Sequence, residues 1–398
     1  MSPRPIVIAG AGIAGLTAAL ALAGRGFSTR IFERSQHLQE VGAGLQLSPN
    51  ATRLLERLGL LTDLQKVAVQ PEAIALRRAR DLSLLAQVPL GEAATRRWGA
   101  PYLTIHRADL QRVLLDAVKR SSDIELTTGA AIRGIRRGGA RLAVSIEREG
   151  QSENVDCGLL IAADGVWSTL RAAERPSRYT GHLAWRAAVQ PDESSNRVVP
   201  PDRVTAFLHG RFHLVAYPVR GGRTINLVAI APALAGPDGW SNDADLSRLK
   251  AAMRGTAGEL VDLVGRAKGW TTWPLHEVPQ SGKWTDGDAL ALIGDAAHAM
   301  TPYAAQGAAM AIEDAVTLAA AVARTPDDMA SALGLYEEAR KPRVKRVGAR
   351  GAFNRFTWHA AGPVAFVRDQ VLALRSPERL AGDFDWLYGW DAEAALGG

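Results

Sequence analysis

The chain has 398 residues, 47% of them apolar and 22% charged, with a formal net charge of +6. That is enough apolar material for a sizeable core, and the balance excludes a disordered chain. The single cysteine, Cys157, excludes an internal disulfide and a structural zinc site, and it suits a reducing, cytoplasmic setting.

Cys157 lies in an apolar run and reads as a buried, inert thiol. Basic residues are scattered (Arg77, Arg78, Arg80; Arg96, Arg97; Arg133, Arg136, Arg137; Lys341 to Arg350) with no aromatic stripe between them. That pattern speaks against a nucleic-acid partner and reads mostly as solvated surface. The eight histidines show no metal-ligand spacing, so no metal is expected.

Arg4 followed by the apolar stretch Ile6 to Ala23 has the outline of a signal peptide or short membrane span. Glycines and Thr17 interrupt it, and their spacing has a better explanation. Residues 5–9 form a short β-rich run, Gly10-Ala11-Gly12-Ile13-Ala14-Gly15 follows, and an alanine/leucine helix then runs to Gly24 or Gly26. A second strand, Ser28 to Phe32, ends on Glu33. In such a βαβ opening, Gly10 allows a tight turn, Gly12 lets backbone approach a pyrophosphate, and Gly15 lets helix pack on sheet. The helix N-terminus offers N–H groups to phosphates, and an acid at the position of Glu33 can bind both ribose hydroxyls. Glu33 would repel a 2′-phosphate, so the expected nucleotide is FAD or NAD(H). No stable membrane insertion is expected.

Helices are predicted over 49–67 and 108–120, and alternating strands over 124–150 with a turn at Gly138-Gly139. A strand over 157–162 leads into Asp164-Gly165-Val166-Trp167-Ser168-Thr169-Leu170-Arg171. From about 176 to 280 the chain turns β-rich, with strands at 183–189, 203–208, 211–217 and 223–231, a hairpin turn at Gly221-Gly222, and a helix over 243–265. The strand 288–293 then enters Gly294-Asp295, with helices over 306–323 and 332–357 and an aromatic tail at 383–390. An aspartate such as Asp295 after a strand can bind a sugar-like hydroxyl. A helix opening at Gln306, Gly307 and Ala308 aims N–H groups at an anion, as a reduced flavin is near its pyrimidine edge. His298 is expected to support the loop rather than to move protons.

Taken in order, these motifs resemble the class A flavoprotein aromatic hydroxylases, the family of salicylate hydroxylase and 3-hydroxybenzoate 6-hydroxylase. The resemblance runs over nearly the whole chain: GAGIAG with Glu33, EVGAGLQLSPNA (40–51), HRADL (106–110), DGVWSTLR (164–171), GDAAHAMTP (294–302), IEDA (312–315) and the DWLYGW tail. It implies an α/β plus α+β protein with a Rossmann-like FAD-binding domain of the GR2/PHBH type. An inserted β-sheet substrate domain and a C-terminal helical segment complete it. The expected division is 1–73, 99–175 and 281–345 for FAD, 74–98 and 176–280 for substrate, and 346–398 for the C-terminal region.

The resemblance further implies that Gly10 to Gly15, Glu33 and Arg34 hold the ADP half of FAD, and that Arg107 contacts the cofactor. Asp164 would help hold FAD and border the NAD(P)H path, Asp295 would bind the ribitol chain, and Pro302 to Ala308 would line the flavin ring. Such an enzyme uses NADH or NADPH and O₂, hydroxylates a small aromatic ring through a C4a-hydroperoxyflavin, and works as a monomer or homodimer. A flavin-dependent reductase or epoxidase, or a silent flavin-binding protein, are the alternatives on this scaffold.

The strand Arg211-Phe212-His213-Leu214-Val215-Ala216-Tyr217-Pro218 carries the sharpest expectation. Side chains alternate along a strand, so His213, Val215 and Tyr217 share one face. An imidazole and a phenol flanking a small apolar residue suit a pocket wall for a hydroxylated ring. The run resembles the matching strand of the family's 3-hydroxybenzoate 6-hydroxylases, where a histidine and a tyrosine at this spacing line the substrate site. His213 is expected to deprotonate or hydrogen-bond the ring hydroxyl, and Tyr217 to position the ring. The competing expectation is that both are half-exposed strand residues with solvent partners. The chain departs from those relatives at Pro302-Tyr303, where they carry a glutamine, which leaves the ring substrate open. Arg186, Arg211, Arg220 and Arg223 suggest an anionic substrate, although most of them read as surface charge.

Overall fold

The computed structural model describes residues 5–38, 43–138, 141–173, 175–234 and 244–397. Arg4, residues 40–42 of EVGAGLQLSPNA, Gly139 and the first residue of the predicted 243–265 helix lie outside the described residues.

The organising element is a six-stranded sheet in the order 285–286, 290–292, 159–162, 6–9, 29–33, 124–128. The strand Ile6–Ala9 pairs in parallel with Thr29–Glu33 on one side and Leu159–Ala162 on the other. The chain leaves the first strand in one direction and returns beside it on the opposite side much later. The carboxyl ends of these strands therefore flank a topological switch point, the place where open α/β sheets bind ligands. The helix Ile13–Ala23 is almost wholly apolar and packs against the helix Gly307–Arg324.

A second, seven-stranded sheet takes strands from two separate stretches of chain. The strands Ala73–Arg78 and Leu84–Pro89 join Arg203–His209, Phe212–Val219, Thr224–Pro232, Arg178–Val189 and Lys268–Glu277. Phe212, Leu214 and Ala216 point to one face, into a core with Leu249, Leu260 and Leu263 of two short helices. The opposite face looks toward the nucleotide sheet and the C-terminal helices.

The predicted elements hold with local corrections. The 49–67 helix divides into Pro49–Arg57 and Leu61–Gln65, and 243–265 contains Leu246–Ala252 and Gly258–Arg266. Gly59 and Gly255, both at positive φ, make the breaks, a conformation that glycine adopts without strain. Cys157, fully buried, ends one strand, and Leu159 begins another in a different sheet. The helix Met329–Trp358 is longer than predicted and overturns part of the surface-charge reading. Arg343 is 5% exposed and Arg350 half-buried, because the inward face of this helix carries positions 340, 343, 344 and 347.

Candidate active site

Three strand ends converge on the switch point. Gly10 lies at φ 104°, and a Cβ there would sit 2.6 Å from the Ala163 carbonyl oxygen. A Cβ on Gly15 would meet the Gly10 carbonyl oxygen at 2.0 Å, so this glycine is demanded by helix packing. Gly12 differs: nothing among the described residues lies within 4 Å of its would-be Cβ. The backbone there faces open space, as a pyrophosphate cradle requires. Ile13 is buried behind the turn and Ala14 half-buried beside it. Glu33 closes the turn from the neighbouring strand, its Oε2 accepting from Ala11 N at 2.8 Å and its Oε1 from Ser35 N at 2.9 Å. Arg34 is exposed just beyond. Gln111, which the sequence reading passed over, ties the HRADL helix to this turn by donating to the Ala11 carbonyl at 3.3 Å.

Asp164 lies at the second strand end. Its Oδ2 accepts from Thr169 N at 3.0 Å, while its buried Oδ1 has no hydrogen-bond partner among the described residues. Arg171 and Arg175 join this segment to the third strand end. They donate to the carbonyls of Ala296 at 2.9 Å and Ala297 at 3.0 Å. The arginine of DGVWSTLR is thus a staple between two motifs.

At that third end Gly294 takes φ 59° and packs against Ala14 and Ala311, and Asp295 projects outward, exposed. Below them lies a charge network whose purpose the sequence did not reveal. Asp314 accepts from Gly294 N at 2.8 Å, pairs with His298 Nε2 at 2.5 Å, and receives Arg340 Nε at 2.7 Å. Glu313 takes Arg340 at 2.5 Å, Arg343 at 2.9 Å and Asn50 at 2.6 Å. Burial alone would push the Asp314 carboxyl up, but His298 and Arg340 outweigh it and hold it below the usual carboxylate range. The acids of IEDA therefore fix the loop that presents Asp295, and His298 supports that loop.

Gln306 is buried, its amide donating to Ser48 Oγ at 2.9 Å, and it caps the helix that follows. Gly307 and Ala308 open the following helix, and Arg107 is half-buried, its backbone N–H donating to Ala43. The open Gly12 backbone, the orphaned Asp164 oxygen and the helix N-termini are a fitting cradle for an adenine dinucleotide.

Next to this cleft is a cavity of about 670 Å³. A row of paired residues, Ala86, Leu76, Ala206 and Val215, forms its floor on the inward sheet face. Pro302 and Tyr303 close one side, and Phe353, Trp358 and Leu372 of the C-terminal helices another. His213 (1% exposed) and Tyr217 (3%) flank Val215, which overturns the half-exposed alternative. Neither lines the cavity directly. His213 is seated against Tyr303 and Trp358, ring centroids 5.2 and 5.1 Å away, both of which do line it. Tyr303 is buried, and its hydroxyl has no partner among the described residues. Burial raises the phenols of Tyr217 and Tyr303, so both stay protonated.

The sequence reading missed three members of this wall. Tyr102 donates to Gln46 at 2.7 Å, Asn354 holds the Tyr303 carbonyl at 2.9 Å, and His359 meets His213 at 2.8 Å. Of the four arginines proposed for an anionic substrate, Arg211, Arg220 and Arg223 are exposed, and Arg186 lies over Trp273 at 4.7 Å. Among the described residues no group of three or more His, Cys, Asp or Glu could hold a metal, and no helix is long and apolar enough to cross a membrane.

This cleft-and-cavity arrangement is that of a flavin enzyme, and comparison with known proteins agrees. A model described as an FAD binding domain matches residues 4–350, and the chain belongs to this family, within its class A aromatic hydroxylases. It is an FAD-dependent monooxygenase.

The chain is 34% identical to a 3-hydroxybenzoate 6-hydroxylase of Polaromonas naphthalenivorans (strain CJ2), covering 98% of this chain and 97% of that protein. It is 36% identical to a 3-amino-4-hydroxybenzoate 2-monooxygenase of Streptomyces cremeus, over 96% of this chain and 94% of that one. Among solved structures, HpxO of Klebsiella pneumoniae complexed with FAD and uric acid superposes with a TM-score of 0.83 at 26% identity, over 99% of this chain and 97% of that chain.

Proposed function

We propose that the chain hydroxylates a small phenolic acid, or a related hydroxylated heteroaromatic, in the cavity on the sheet face, with NAD(P)H and O₂ as co-substrates. The observation that carries this reading is the buried, uncharged pair of His213 and Tyr303 at a cavity whose floor is apolar and whose lining also brings in Arg350, Arg368 and Arg375. The named activities of the relatives support it: they act on 3-hydroxybenzoate, 3-amino-4-hydroxybenzoate and 6-hydroxynicotinate.

FAD, when bound, accepts hydride and activates oxygen. In this reading Gly10, Gly12, Ile13, Ala14 and Gly15, with Glu33 and Arg34, hold the ADP half. Arg107 and Asp164 hold its middle, and Asp295 takes the ribitol hydroxyls. The N–H groups of Gln306, Gly307 and Ala308 favour negative charge on the flavin's pyrimidine edge, and Pro302 sets the loop against the ring. Residues 1–73, 99–175 and 281–345 form the cofactor unit, 74–98 and 176–280 the substrate wall, and 346–398 the cover. The enzyme works in the cytoplasm, as a monomer or homodimer.

His213 is uncharged at neutral pH, because burial, then His359 and His182, hold its imidazole well below the usual histidine range. In this reading it accepts the ring's phenolic proton once the ring reaches it past Tyr303 and Trp358, and an ionised phenol is the better nucleophile toward electrophilic oxygen. Tyr217 stays protonated and so keeps a hydrogen to donate, which suits it to orienting the ring. The test is a panel of 3-hydroxybenzoate, 3-amino-4-hydroxybenzoate and 6-hydroxynicotinate, scored by stimulated NAD(P)H oxidation and hydroxylated product. At least one should stimulate. Stimulation by a neutral alkene and by none of the three would overturn the reading.

A further inference from the structure

Resting on the phenolic-acid reading, we infer that Arg350 selects for an anionic ring by binding the substrate's carboxylate on the C-terminal side of the cavity. Three arginines line that side, Arg350, Arg368 and Arg375, and their partners set them apart. Arg368 donates from Nε to Asp369 at 2.8 Å and from Nη1 to the Thr357 carbonyl at 2.9 Å. Arg375 holds both carboxylate oxygens of Asp383, one of them at 2.8 Å. The half-buried Arg350 has no such partner: its buried Nε makes no hydrogen bond, and its guanidinium no ion pair, among the described residues.

What seats Arg350 is aromatic. Its Cζ stands 4.9 Å from the ring centroid of Phe384 and 6.0 Å from that of Phe353. A ring face takes a guanidinium by its plane and leaves the N–H groups on its edge unused. The acid that acts on Arg350 is Asp383, and Arg375 already holds that acid. Two guanidinia against one carboxylate leave the group with a surplus positive charge. Burial holds Arg350 below its usual range, with Asp383 working against that shift, yet an arginine stays charged at neutral pH. A cation in this state gains most from an anion that enters the cavity and accepts from its free edge.

The helix Met329–Trp358 brings this charge to the ring's side of the cavity. Positions 350 and 354 are one turn apart on one face, and Asn354 donates to the Tyr303 carbonyl at 2.9 Å. Between them Gly351 approaches the same turn, its would-be Cβ 3.9 Å from Ala304. Arg350 therefore stands beside the 302–304 turn, whose Tyr303 hydroxyl also lacks a partner among the described residues. A cationic group and a neutral hydroxyl, each without a partner at one cavity, match a ring that carries both a carboxylate and a hydroxyl. The anion anchor thus comes from the helical cover and not from the arginines of the β-rich block.

The experiment uses the FAD-loaded enzyme with whichever panel acid stimulates it most, and with the same ring carrying a carboxamide in place of the carboxylate. Dissociation constants are read from the change in flavin absorbance. The unaltered enzyme should prefer the acid by roughly tenfold or more. Arg350→Met keeps an apolar stem over Phe384 and removes the charge. It should weaken the acid roughly thirtyfold and the amide less than about twofold, within the range for a hydrogen bond to a charged group. A merely structural role would weaken both ligands alike. A variant that keeps the parent's ratio of acid to amide affinity overturns the assignment.

The unaltered enzyme decides where Arg350→Met does not fold. Equal affinity for acid and amide overturns the assignment, and a preference for the acid that shrinks as salt is raised supports it. If none of the three panel acids stimulates the unaltered enzyme, the proposed function falls and the assignment with it. An acid that stimulates the parent and binds the variant equally well removes Arg350 alone.

Discussion

The nucleotide cleft and the substrate cavity are built by opposite means. The cleft is backbone: a positive-φ turn at Gly10, helix N-termini, and strand ends drawn together by arginine-to-carbonyl staples. Its side chains mostly hold one another, as Asp314, His298 and Arg340 do. The cavity is side chain: an apolar sheet face, a turn and two helices, backed by imidazoles from residues 182, 213 and 359 that pack on Tyr303. A site made of backbone constrains short sequence patterns tightly, whereas one made of side chains from distant segments leaves each segment unremarkable. The two regions should therefore fail in different ways.

The largest effect is expected beneath the cleft. Arg340→Met removes the partner of two fully buried acids and should cost about 3–5 kcal/mol of stability, read by denaturant unfolding. A loss under 1 kcal/mol would mean that the network is dispensable.

Gly12→Val should leave the apo-protein's melting temperature nearly unchanged, since nothing among the described residues lies within 4 Å of a Cβ there. It should weaken FAD at least about a hundredfold, roughly 2.8 kcal/mol. Unaltered FAD affinity in this variant would place the pyrophosphate elsewhere.

His213→Ala makes the reverse cut: FAD retained, hydroxylation slowed roughly tenfold or more, and H₂O₂ release raised. Coupling unchanged at every pH would remove His213 from the chemistry.

The smallest effect is a pH dependence that separates the regions. The folded state holds His213, His182 and His359, the last near 4, below the ordinary 6.5. Between those values the unfolded chain binds protons that the folded one refuses, so stability falls as pH drops from about 6.5 to 4. Asp391, lowered from 3.8 to about 2 chiefly by its hydrogen bond from Arg57, behaves as depressed carboxylates do. Its contribution is complete above 3.8 and is lost only as pH falls through about 2. The cavity should thus lose stability several pH units before the tail contact, visible as a two-stage decline in urea midpoint.

This contrast also sets what was legible beforehand. Gly10, Gly12, Gly15 and Glu33 stood out because strand, turn and helix are local and their glycines have geometric reasons, whereas Asp164 stood out only by resemblance. The shared face of His213, Val215 and Tyr217 followed from strand alternation alone. The partnership with His359 did not, because 146 residues separate the pair and nothing in the local pattern around His359 marks it. The burial of Arg340 and Arg343 was hidden for a related reason: charge on a helix reads as solvent-facing until the acids that receive it are located. The aromatic tail was legible only by resemblance. In the fold, Trp386 and Trp390 cover arginines of the long helix, with Arg346 4.1 Å over Trp386 and Arg340 4.8 Å over Trp390.

That long helix, Met329–Trp358, has 30 residues and so extends about 45 Å. It behaves as a beam pinned at both ends. Arg340 and Arg343 anchor it under the cofactor loop, and Asn354 and the capping His359 fasten it to the substrate wall. The spacing between the loop that presents Asp295 and the cavity wall at Tyr303 is thereby set by one continuous helix rather than by a linker. A single residue inserted between Arg343 and Asn354 would rotate the far end by about 100°, since each helical residue turns by that angle. Arg340 would stay seated while Asn354 and His359 swung away from their partners. The phase of this helix, more than its composition, is what keeps the two halves of the active site in register.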